Sequence, residues 1–440
     1  MNIPSIEGYL VLFLAIALVT IVATRRIAVP YTLGLVIVGL GLSIFGFLPD
    51  VHLTPPLVLF VFLPALLFEG AWSIRWHLVR AHWRTIFFLA GPGLLLSLGI
   101  IASILHVLDG LDWGTAFLLA AILSPTDPVA VLSLFRQLHI DERLATIIEG
   151  ESLFNDGVAG SLYQTFLAVV LLAQQGHASG GLQAWTEGIG TFLLEAGGAI
   201  VLGLLVGWLM SLIVKQIDEP LMEMTLTLIT AYGVYLVADR FHLSAIVAVI
   251  VAALVLGNYG RRMGMSEQSQ VAVDQFWSIL AFIANALIFL LVGVQLNPLA
   301  LPLAPGGEIT TLLIAVFAVS VVLVARLALV LVLAARSMLM LSSRLRGMGP
   351  SQRIPRSWQL VIFWSGLRGA LSLALVLALP SEIPHRSVLV ISTYAVVFFT
   401  LLIQGITLRW LLKRFPSLQA PPPDEGENPP SDKQIAEKSI

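Results

Sequence analysis

Residues 123–131 read LSPTDPVAV and lie inside an apolar run that covers residues 113–134. A run of this length matches the hydrocarbon thickness of a bilayer. Pro125 and Pro128 stand on either side of Asp127, and each proline removes a backbone donor and clashes with the preceding helical turn. The stretch therefore predicts a membrane helix that is broken near its middle, with free carbonyl oxygens and a half-helix N-terminus beside a carboxylate.

The whole chain has the composition of an all-α polytopic membrane protein. Charged side chains make up 11% of the 440 residues and apolar ones 58%, whereas soluble domains contain about 25% charged residues. The net charge of −2 offers no basic excess for phosphates, which argues against nucleic acid as a partner. Apolar runs long enough to cross a bilayer predict thirteen spans. They cover residues 7–24, 29–48, 53–72, 85–107, 113–134, 146–173, 187–214, 220–238, 243–259, 276–296, 309–335, 359–379 and 387–411.

The Lys and Arg residues between these spans are distributed unevenly. Eighteen lie in or beside the connections that follow odd-numbered spans, and only Arg240 and Arg386 follow even-numbered spans. The positive-inside rule therefore predicts an outside amino terminus and a cytoplasmic carboxyl terminus. The composition predicts a transmembrane domain over residues 1–415 and a disordered cytoplasmic tail, rich in Pro and acidic residues, over residues 416–440.

Thirteen spans fit two inverted six-span repeats joined by span 7, an arrangement found in secondary transporters. Spans 5 and 12 are then corresponding members of the two halves. Span 12 contains WSGLRGALSLAL at 364–375, in which Gly366 and Gly369 flank Arg368. These glycines weaken the helix or permit close approach. Two corresponding interrupted spans predict discontinuous crossing helices with a central site.

Span 6 contains IIEGESLFNDGVAG at 147–160, a polar cluster in an otherwise apolar helix. Helical geometry puts four oxygen-bearing side chains on one face, namely Glu151, Ser152, Asn155 and Asp156. This stripe is expected to face a cavity and to meet Asp127. Two carboxylates that share a poorly hydrated pocket cannot both stay ionised unless a proton or a cation is bound. A hard monovalent cation such as sodium would satisfy the same oxygens.

Further charges lie at predicted membrane depth, where each needs a partner or a purpose. Glu151 is the first candidate partner of Arg326, and Arg368 is a competing partner for Glu151. Glu69 lies either at the edge of an ion path or at a helix end that faces the cytoplasm. Glu195 has no motif around it, and no function is assigned to it.

Four strings of this sequence resemble the monovalent cation/proton antiporters of the NhaP and sodium/hydrogen exchanger type. They are FLPALLFEGAW at 62–72, SPTDPVAV at 124–131, EGESLFNDGVA at 149–159 and GLRGALSLAL at 366–375. The likeness covers essentially all of residues 7–415. It implies a homodimer of thirteen-span protomers in a bacterial inner membrane. Each protomer would have an interface part from spans 1–3 and 8–10 and a core part from spans 4–6 and 11–13.

The resemblance also implies roles for individual residues. It assigns binding of the transported monovalent cation and of the proton to Asp156, Asp127, Thr126 and Ser152. Asn155 stands where electrogenic relatives have a second Asp, which implies electroneutral exchange of one cation for one proton. Glu151 with a buried Arg resembles the structural ion pair of the family.

The sequence is therefore interpreted as a secondary antiporter and not as an enzyme, with no cofactor. It would exchange sodium, lithium or potassium for protons by competition at one carboxylate site. A potassium-preferring antiporter is the nearest alternative, and a cation channel or an intramembrane aspartyl hydrolase using Asp127 and Asp156 is more remote. The sequence has no Gly-Asp dipeptide of the intramembrane protease type and no Gly-Lys dipeptide of a P-loop.

Overall fold

The computed structural model describes residues 6–27, 30–46, 55–174, 182–217, 219–296, 307–342, 354–415 and 418. The regular elements in these ranges are all helical. They are α1 (Ile6–Ile27), α2 (Tyr31–Ile44), α3 (Leu63–Ser73), α4 (Trp76–Ala90), α5 (Pro92–Asp109), α6 (Trp113–Ile122), α7 (Val129–Leu138), α8 (Glu142–Gln174), α9 (Leu182–Val214), α10 (Pro220–Arg240), α11 (Ala245–Val255), α12 (Arg261–Gly264), α13 (Glu267–Gln295), α14 (Glu308–Ser342), α15 (Arg356–Trp364), α16 (Ala370–Leu377), α17 (Arg386–Phe398) and α18 (Gly405–Arg414).

Each predicted span falls on one helix or on one interrupted helix. In chain order the spans correspond to α1, α2, α3, α4–α5, α6–α7, α8, α9, α10, α11–α12, α13, α14, α15–α16 and α17–α18. Within the described ranges, eight helical segments are long and apolar enough to cross a membrane. The all-helical fold is confirmed, whereas the number of membrane crossings stays a prediction.

The fourth span is longer than its apolar pattern indicates. Helices α4 and α5 meet at Gly91 and together cover residues 76–109, whereas the predicted span covers residues 85–107. The extra turns read WHLVRAHWR at 76–84, in which basic and apolar side chains are interspersed. A hydropathy window ends where such charges begin, although the amphipathic helix continues.

Both predicted interruptions are present. Helix α6 ends at Ile122 and α7 begins at Val129, so the residues between them, which include both prolines, are not helical. Helix α15 ends at Trp364 and α16 begins at Ala370. We call these two stretches, residues 123–128 and 365–369, the first break and the second break.

Within the part of the chain that the structure describes, three helices contain a π-helical turn, which holds about one residue more than an α-helical turn and shifts the register of the helix. These turns are Leu57–Phe62 before α3, Leu256–Gly260 between α11 and α12, and Phe399–Gln404 between α17 and α18. The last of them lies beside the second break, where Thr400 accepts a hydrogen bond from the backbone N–H of Arg368 at 3.0 Å.

Helices α2 and α13 pack with their backbones in contact. A Cβ at Gly39 would collide with the carbonyl oxygen of Leu290, and one at Gly293 would collide with the carbonyl oxygen of Val36. Small residues at a crossing allow helices in a membrane to approach this closely. The crossing fixes α13 against α2.

Helix α3 is attached to α13 by aromatic contacts. The rings of Phe68 and Trp277 stack with their centroids 4.4 Å apart. The indole N–H of Trp72 donates to Asp274 Oδ1 at 2.8 Å, and Asp274 also forms a salt bridge with Arg261. These contacts hold the α3 turn that carries Glu69 in a defined place.

The division into interface and core parts stays a prediction. The predicted tail, residues 416–440, lies outside the described residues except for Leu418. The carbonyl oxygen of Leu418 accepts a hydrogen bond from the backbone N–H of Asp141 at 2.9 Å. This bond joins Leu418, beyond the end of α18, to the residue that precedes α8.

Candidate functional site

The first break presents a carboxylate at the start of a half-helix. Asp127 Oδ1 accepts a hydrogen bond from the backbone N–H of Val129 at 2.9 Å, so the side chain satisfies one of the free donors at the start of α7. The backbone N–H of Asp127 donates to the carbonyl oxygen of Leu367 at 2.8 Å. The two breaks are therefore joined directly through their backbones.

The carbonyl end of α6 is held by a buried arginine from the second break. Arg368 Nη1 donates to the carbonyl oxygens of Ser124 and Pro125, the latter at 2.9 Å. The side chain of Arg368 is 4% exposed. Because carbonyl groups without helical partners give a helix C-terminus a partial negative charge, a fixed guanidinium stabilises this end of α6.

The polar face of α8 contacts the first break at Thr126. The hydroxyls of Thr126 and Ser152 lie 3.0 Å apart, and Asn155 Nδ2 donates to Thr126 Oγ1 at 3.3 Å and to the carbonyl oxygen of Ser124 at 3.0 Å. The predicted meeting of α8 with the first break is thus observed one residue before Asp127. Thr126 lines the cavity described below, whereas Ser152 does not.

Glu151 pairs with Arg326, the first candidate partner predicted for it. Both oxygens of Glu151 accept from the guanidinium of Arg326, which also donates to the carbonyl oxygen of Ile362 at 2.8 and 3.2 Å. The pair is buried, with Glu151 2% and Arg326 7% exposed. Within the described ranges Arg368 forms no salt bridge, so the competing partner is not used.

A cavity of about 930 Å³ extends along α8 and reaches the first break. Its wall includes the carboxylates of Asp127, Asp156, Glu69 and Glu149. Asp127 and Asp156 interact electrostatically across this space. Among the described residues, Asp156 Oδ1 is buried and has no hydrogen-bond partner. An acceptor in that position is available to a proton, a cation or water, because a buried polar atom rarely stays unsatisfied.

Gly369 gives the Asp127 carboxylate its room. A Cβ at this position would lie 2.8 Å from the Cβ and 2.9 Å from the Cγ of Asp127, and it would collide with Oδ2. Real side chains essentially never approach so closely. The glycine of the second break therefore lets the carboxylate of the first break lie directly against the opposing backbone.

The remaining acidic residues of the predicted spans differ in whether they line the cavity. Glu69 lines the cavity, as an ion path would require, and Glu195 does not. Glu149, which lies near the predicted end of span 6, also lines the cavity, together with Arg136 of α7.

Two neutral polar residues of the cavity wall, Tyr31 and Asn285, are not indicated by the sequence patterns, which mark buried charges and the residues beside them. Tyr31 at the start of α2 and Asn285 in the middle of α13 both line the cavity. The signal that could have found Asn285 is an isolated amide in a long apolar run, since amides in membrane helices face the protein interior or a cavity. Tyr31 carries no comparable signal because tyrosine is common at span ends.

The comparisons with known proteins agree with this fold. Residues 12–414 match the family model described as sodium/hydrogen exchanger, transmembrane. The chain belongs to the sodium/hydrogen exchanger family. It is a member of the NhaP-type branch that the sequence motifs resemble, and its relatives are transporters and not enzymes. The chain is an integral membrane protein.

Two curated relatives cover most of the chain. The low-affinity Na⁺/H⁺ antiporter NhaS1 of Synechocystis is 36% identical over 93% of this chain and 74% of its own length. The Na⁺/H⁺ antiporter NhaH of Halobacillus dabanensis is 32% identical over 92% of this chain and 96% of its own.

A solved structure has the same fold. The sodium proton antiporter MjNhaP1 of Methanocaldococcus jannaschii is similar over 92% of this chain and 98% of its own, with a TM-score of 0.66 at 20% identity.

Proposed function

We propose that this protein exchanges sodium for protons, one for one, by competition between the two ions at Asp156 and Asp127. The observation that carries the proposal is that both carboxylates line one cavity beside a broken helix, with a buried Asp156 oxygen that has no hydrogen-bond partner among the described residues. Carboxylate and hydroxyl oxygens are the ligands that hard cations prefer. The printed names of the relatives support sodium as the cation.

The charges around the site support a stoichiometry of one to one. Glu151 and Arg326 neutralise each other in a buried pair. The carboxylates of Asp127 and Asp156 then share the single guanidinium of Arg368, which interacts electrostatically with Asp156. One proton or one monovalent cation is then sufficient to neutralise the group. A second cation would leave an excess positive charge in a poorly hydrated place, which is unfavourable.

The same charges explain how exchange is coupled. A site that holds a proton or a cation is neutral, so its passage between the two sides of the membrane carries a small desolvation penalty. The empty site carries an uncompensated negative charge, for which the penalty is large. Alternating access of the loaded site then produces exchange without separate gates for the two ions. Thr126, which lines the cavity, supports the bound cation directly, Ser152 supports it through its contact with the Thr126 hydroxyl, and Glu69 lies on the path of the cation.

The proposal is tested with purified protein in proteoliposomes that carry a pH gradient. Addition of sodium to the wild type is expected to dissipate the gradient, and Asp156→Asn and Asp127→Asn are expected to reduce the signal to that of empty liposomes. Glu195→Gln is the matched control, because it removes a half-buried carboxylate that does not line the cavity. Exchange by Asp156→Asn at the wild-type rate would contradict the assignment.

The salts used in that assay decide the remaining choices. Lithium and potassium chlorides compared with sodium chloride measure the cation preference, including the potassium alternative. Cation uptake against its own gradient, driven by protons, separates exchange from conduction through a channel. We also propose a homodimer in a bacterial inner membrane with an outside amino terminus, in keeping with the 18 to 2 distribution of basic residues.

A further inference from the structure

Asn285 interrupts the apolar middle of α13. Residues 279–292 read ILAFIANALIFLLV, and Asn285 is their only polar member. Its side chain is 8% exposed and makes no hydrogen bond to any described residue. A buried amide without partners is unfavourable in a membrane protein unless water or a ligand satisfies it.

One face of α13 lines the same cavity as the carboxylates. The lining residues of this helix are Ser278, Ala281, Phe282, Asn285 and Ile288. Apart from the adjacent pair Ala281 and Phe282, they recur every three or four positions, the repeat of one helical face. Asn285 is the most deeply buried polar group of this face. Its amide therefore faces the space that Asp127 and Asp156 also face, from a different helix.

The amide has the chemistry of a cation ligand but does not titrate. Its carbonyl oxygen can coordinate a hard cation or a water of its hydration shell, and its NH₂ group can donate to a second water. A proton held by a carboxylate gains nothing comparable from a neutral oxygen across the cavity. Asn285 can thus stabilise the cation-bound site relative to the empty site without changing the proton affinity of the carboxylates.

We propose that Asn285 is a specificity-determining residue, which contacts the transported cation or its hydration shell while the carboxylates of Asp127 and Asp156 hold its charge. This inference rests on the proposed function, since it needs a cation at those carboxylates. The selectivity among sodium, lithium and potassium then depends on two walls of the cavity, one of which carries no charge.

The test measures the half-saturating concentrations of sodium, lithium and potassium in proteoliposomes at several pH values. Asn285→Ala is expected to raise the half-saturating sodium concentration about three- to tenfold, as expected for the loss of one neutral polar contact. The slope of its logarithm against pH is expected to stay unchanged, because proton affinity is not altered. The ratio of the sodium value to the lithium and potassium values is expected to change.

Asn258→Ala is the matched control. Asn258 is also a partly buried asparagine of a membrane helix, but its amide donates to the carbonyl oxygen of Leu254 at 2.9 Å and it does not line the cavity. Its removal is expected to leave all half-saturating concentrations and their ratios unchanged. Asn285→Ser keeps an oxygen at the site and is expected to give a smaller change than Asn285→Ala.

Two results would overturn the inference. The first is an Asn285→Ala protein with wild-type half-saturating concentrations for all cations. The second is an Asn285→Ala protein in which both the half-saturating sodium concentration and its dependence on pH change, which would mean that Asn285 only positions the carboxylates. If Asn285→Ala does not give folded protein, Asn285→Ser is judged by the same two criteria.

A binding measurement separates this inference from the proposed function. Sodium is expected to raise the thermal stability of the purified wild-type protein in detergent, and Asn285→Ala is expected to need more sodium for the same increase. Wild-type protein that binds sodium but does not exchange it would contradict the proposed function alone. Normal exchange with unaltered selectivity in Asn285→Ala would contradict this inference alone.

Discussion

The first and second breaks look alike in outline but differ in the charge that each one holds. At both, an arginine donates to backbone carbonyl oxygens, Arg368 to those of Ser124 and Pro125 in the first break and Arg326 to that of Ile362 just before the second break. Arg326 is neutralised by Glu151, whereas Arg368 has no salt-bridge partner in the described ranges. The contact of Arg326 at the end of α15 is therefore electrically balanced, whereas the charges that an ion can change lie at the first break, which contains Asp127 and binds the guanidinium of Arg368.

The residue types that interrupt the helices fit this difference. Proline at the first break removes backbone hydrogen bonds and leaves carbonyl oxygens that need a partner. Glycine at the second break removes side-chain volume, and Gly369 makes room for Asp127. One break thus supplies polar groups, and the other supplies space and a permanent positive charge. Four substitutions test this division, beginning with the largest expected effect.

Arg368→Leu removes the charge that holds the first break. Two charge-assisted hydrogen bonds to Ser124 and Pro125 are lost, each worth about 1.5–3 kcal/mol, and their acceptors stay buried. We expect a large fall in the melting temperature in detergent and no exchange. Arg386→Leu is the control, because Arg386, the first residue of α17, is a partly buried arginine that donates to the carbonyl oxygen of Leu379. Wild-type stability of Arg368→Leu would contradict the role assigned to its guanidinium.

Glu151→Gln leaves Arg326 buried without a counter-charge. Breaking one side of a buried pair costs about 3–5 kcal/mol, whereas replacing both members by apolar residues is often close to neutral. The double variant Glu151→Leu with Arg326→Leu is therefore expected to be more stable than Glu151→Gln in thermal unfolding. A double variant that is less stable than the single one would mean that the hydrogen bonds to Ile362 matter more than the pair.

Gly369→Ala tests the contact between the breaks. The added methyl group would collide with the Asp127 carboxylate, and such overpacking costs about 1–3 kcal/mol. We expect exchange to fall about tenfold or more in proteoliposomes, because the strain falls on a carboxylate of the proposed ion site. Gly233→Ala in α10 is the matched control because a Cβ there meets nothing within 4 Å. Equal activity of the two variants would contradict the dependence of ion binding on the contact between Gly369 and Asp127.

Asn155→Asp is expected to have the smallest effect on folding but to change the charge at the first break. The new carboxylate would lose the donation to the Ser124 carbonyl and add one negative charge beside Thr126. Exchange should then move net charge, so that collapsing the membrane potential with valinomycin and potassium alters its rate. An unchanged, potential-independent rate would show that the added group stays protonated.

Much of this arrangement could be predicted from local sequence because it depends on strong local rules. Prolines on both sides of Asp127 break a helix in any surroundings, and the 3.6-residue repeat puts Glu151 and Asn155 on one face. The partner of Glu151 could not be chosen, because Arg326 and Arg368 are both more than 170 residues away along the chain. Only the packing of α14 against the second break decides between them.

Other features depend on distances that sequence patterns do not encode. Thr126 was predicted as a ligand, but its hydroxyl is also hydrogen-bonded to Ser152 and Asn155, and Ser152 lies away from the cavity wall. Asn285 and Tyr31 were not found because neutral side chains carry no signature of buried charge. The π-helical turns leave no pattern in the hydropathy at all.

The π-helical turn Phe399–Gln404 sets the rotational register between the two halves of the last membrane segment. Its additional residue rotates everything downstream by about 100° relative to an uninterrupted α-helix. Helix α17 packs on α14 and α16, whereas α18 packs on α7 and α15. One continuous helix therefore presents two differently oriented surfaces. Deleting a single residue there would restore a regular α-helix. Either Thr400 or the whole of α18 would then rotate away from its present contacts. The rotational register of the carboxyl-terminal segment, rather than its length, therefore determines which of its side chains contact the helices that border the two breaks.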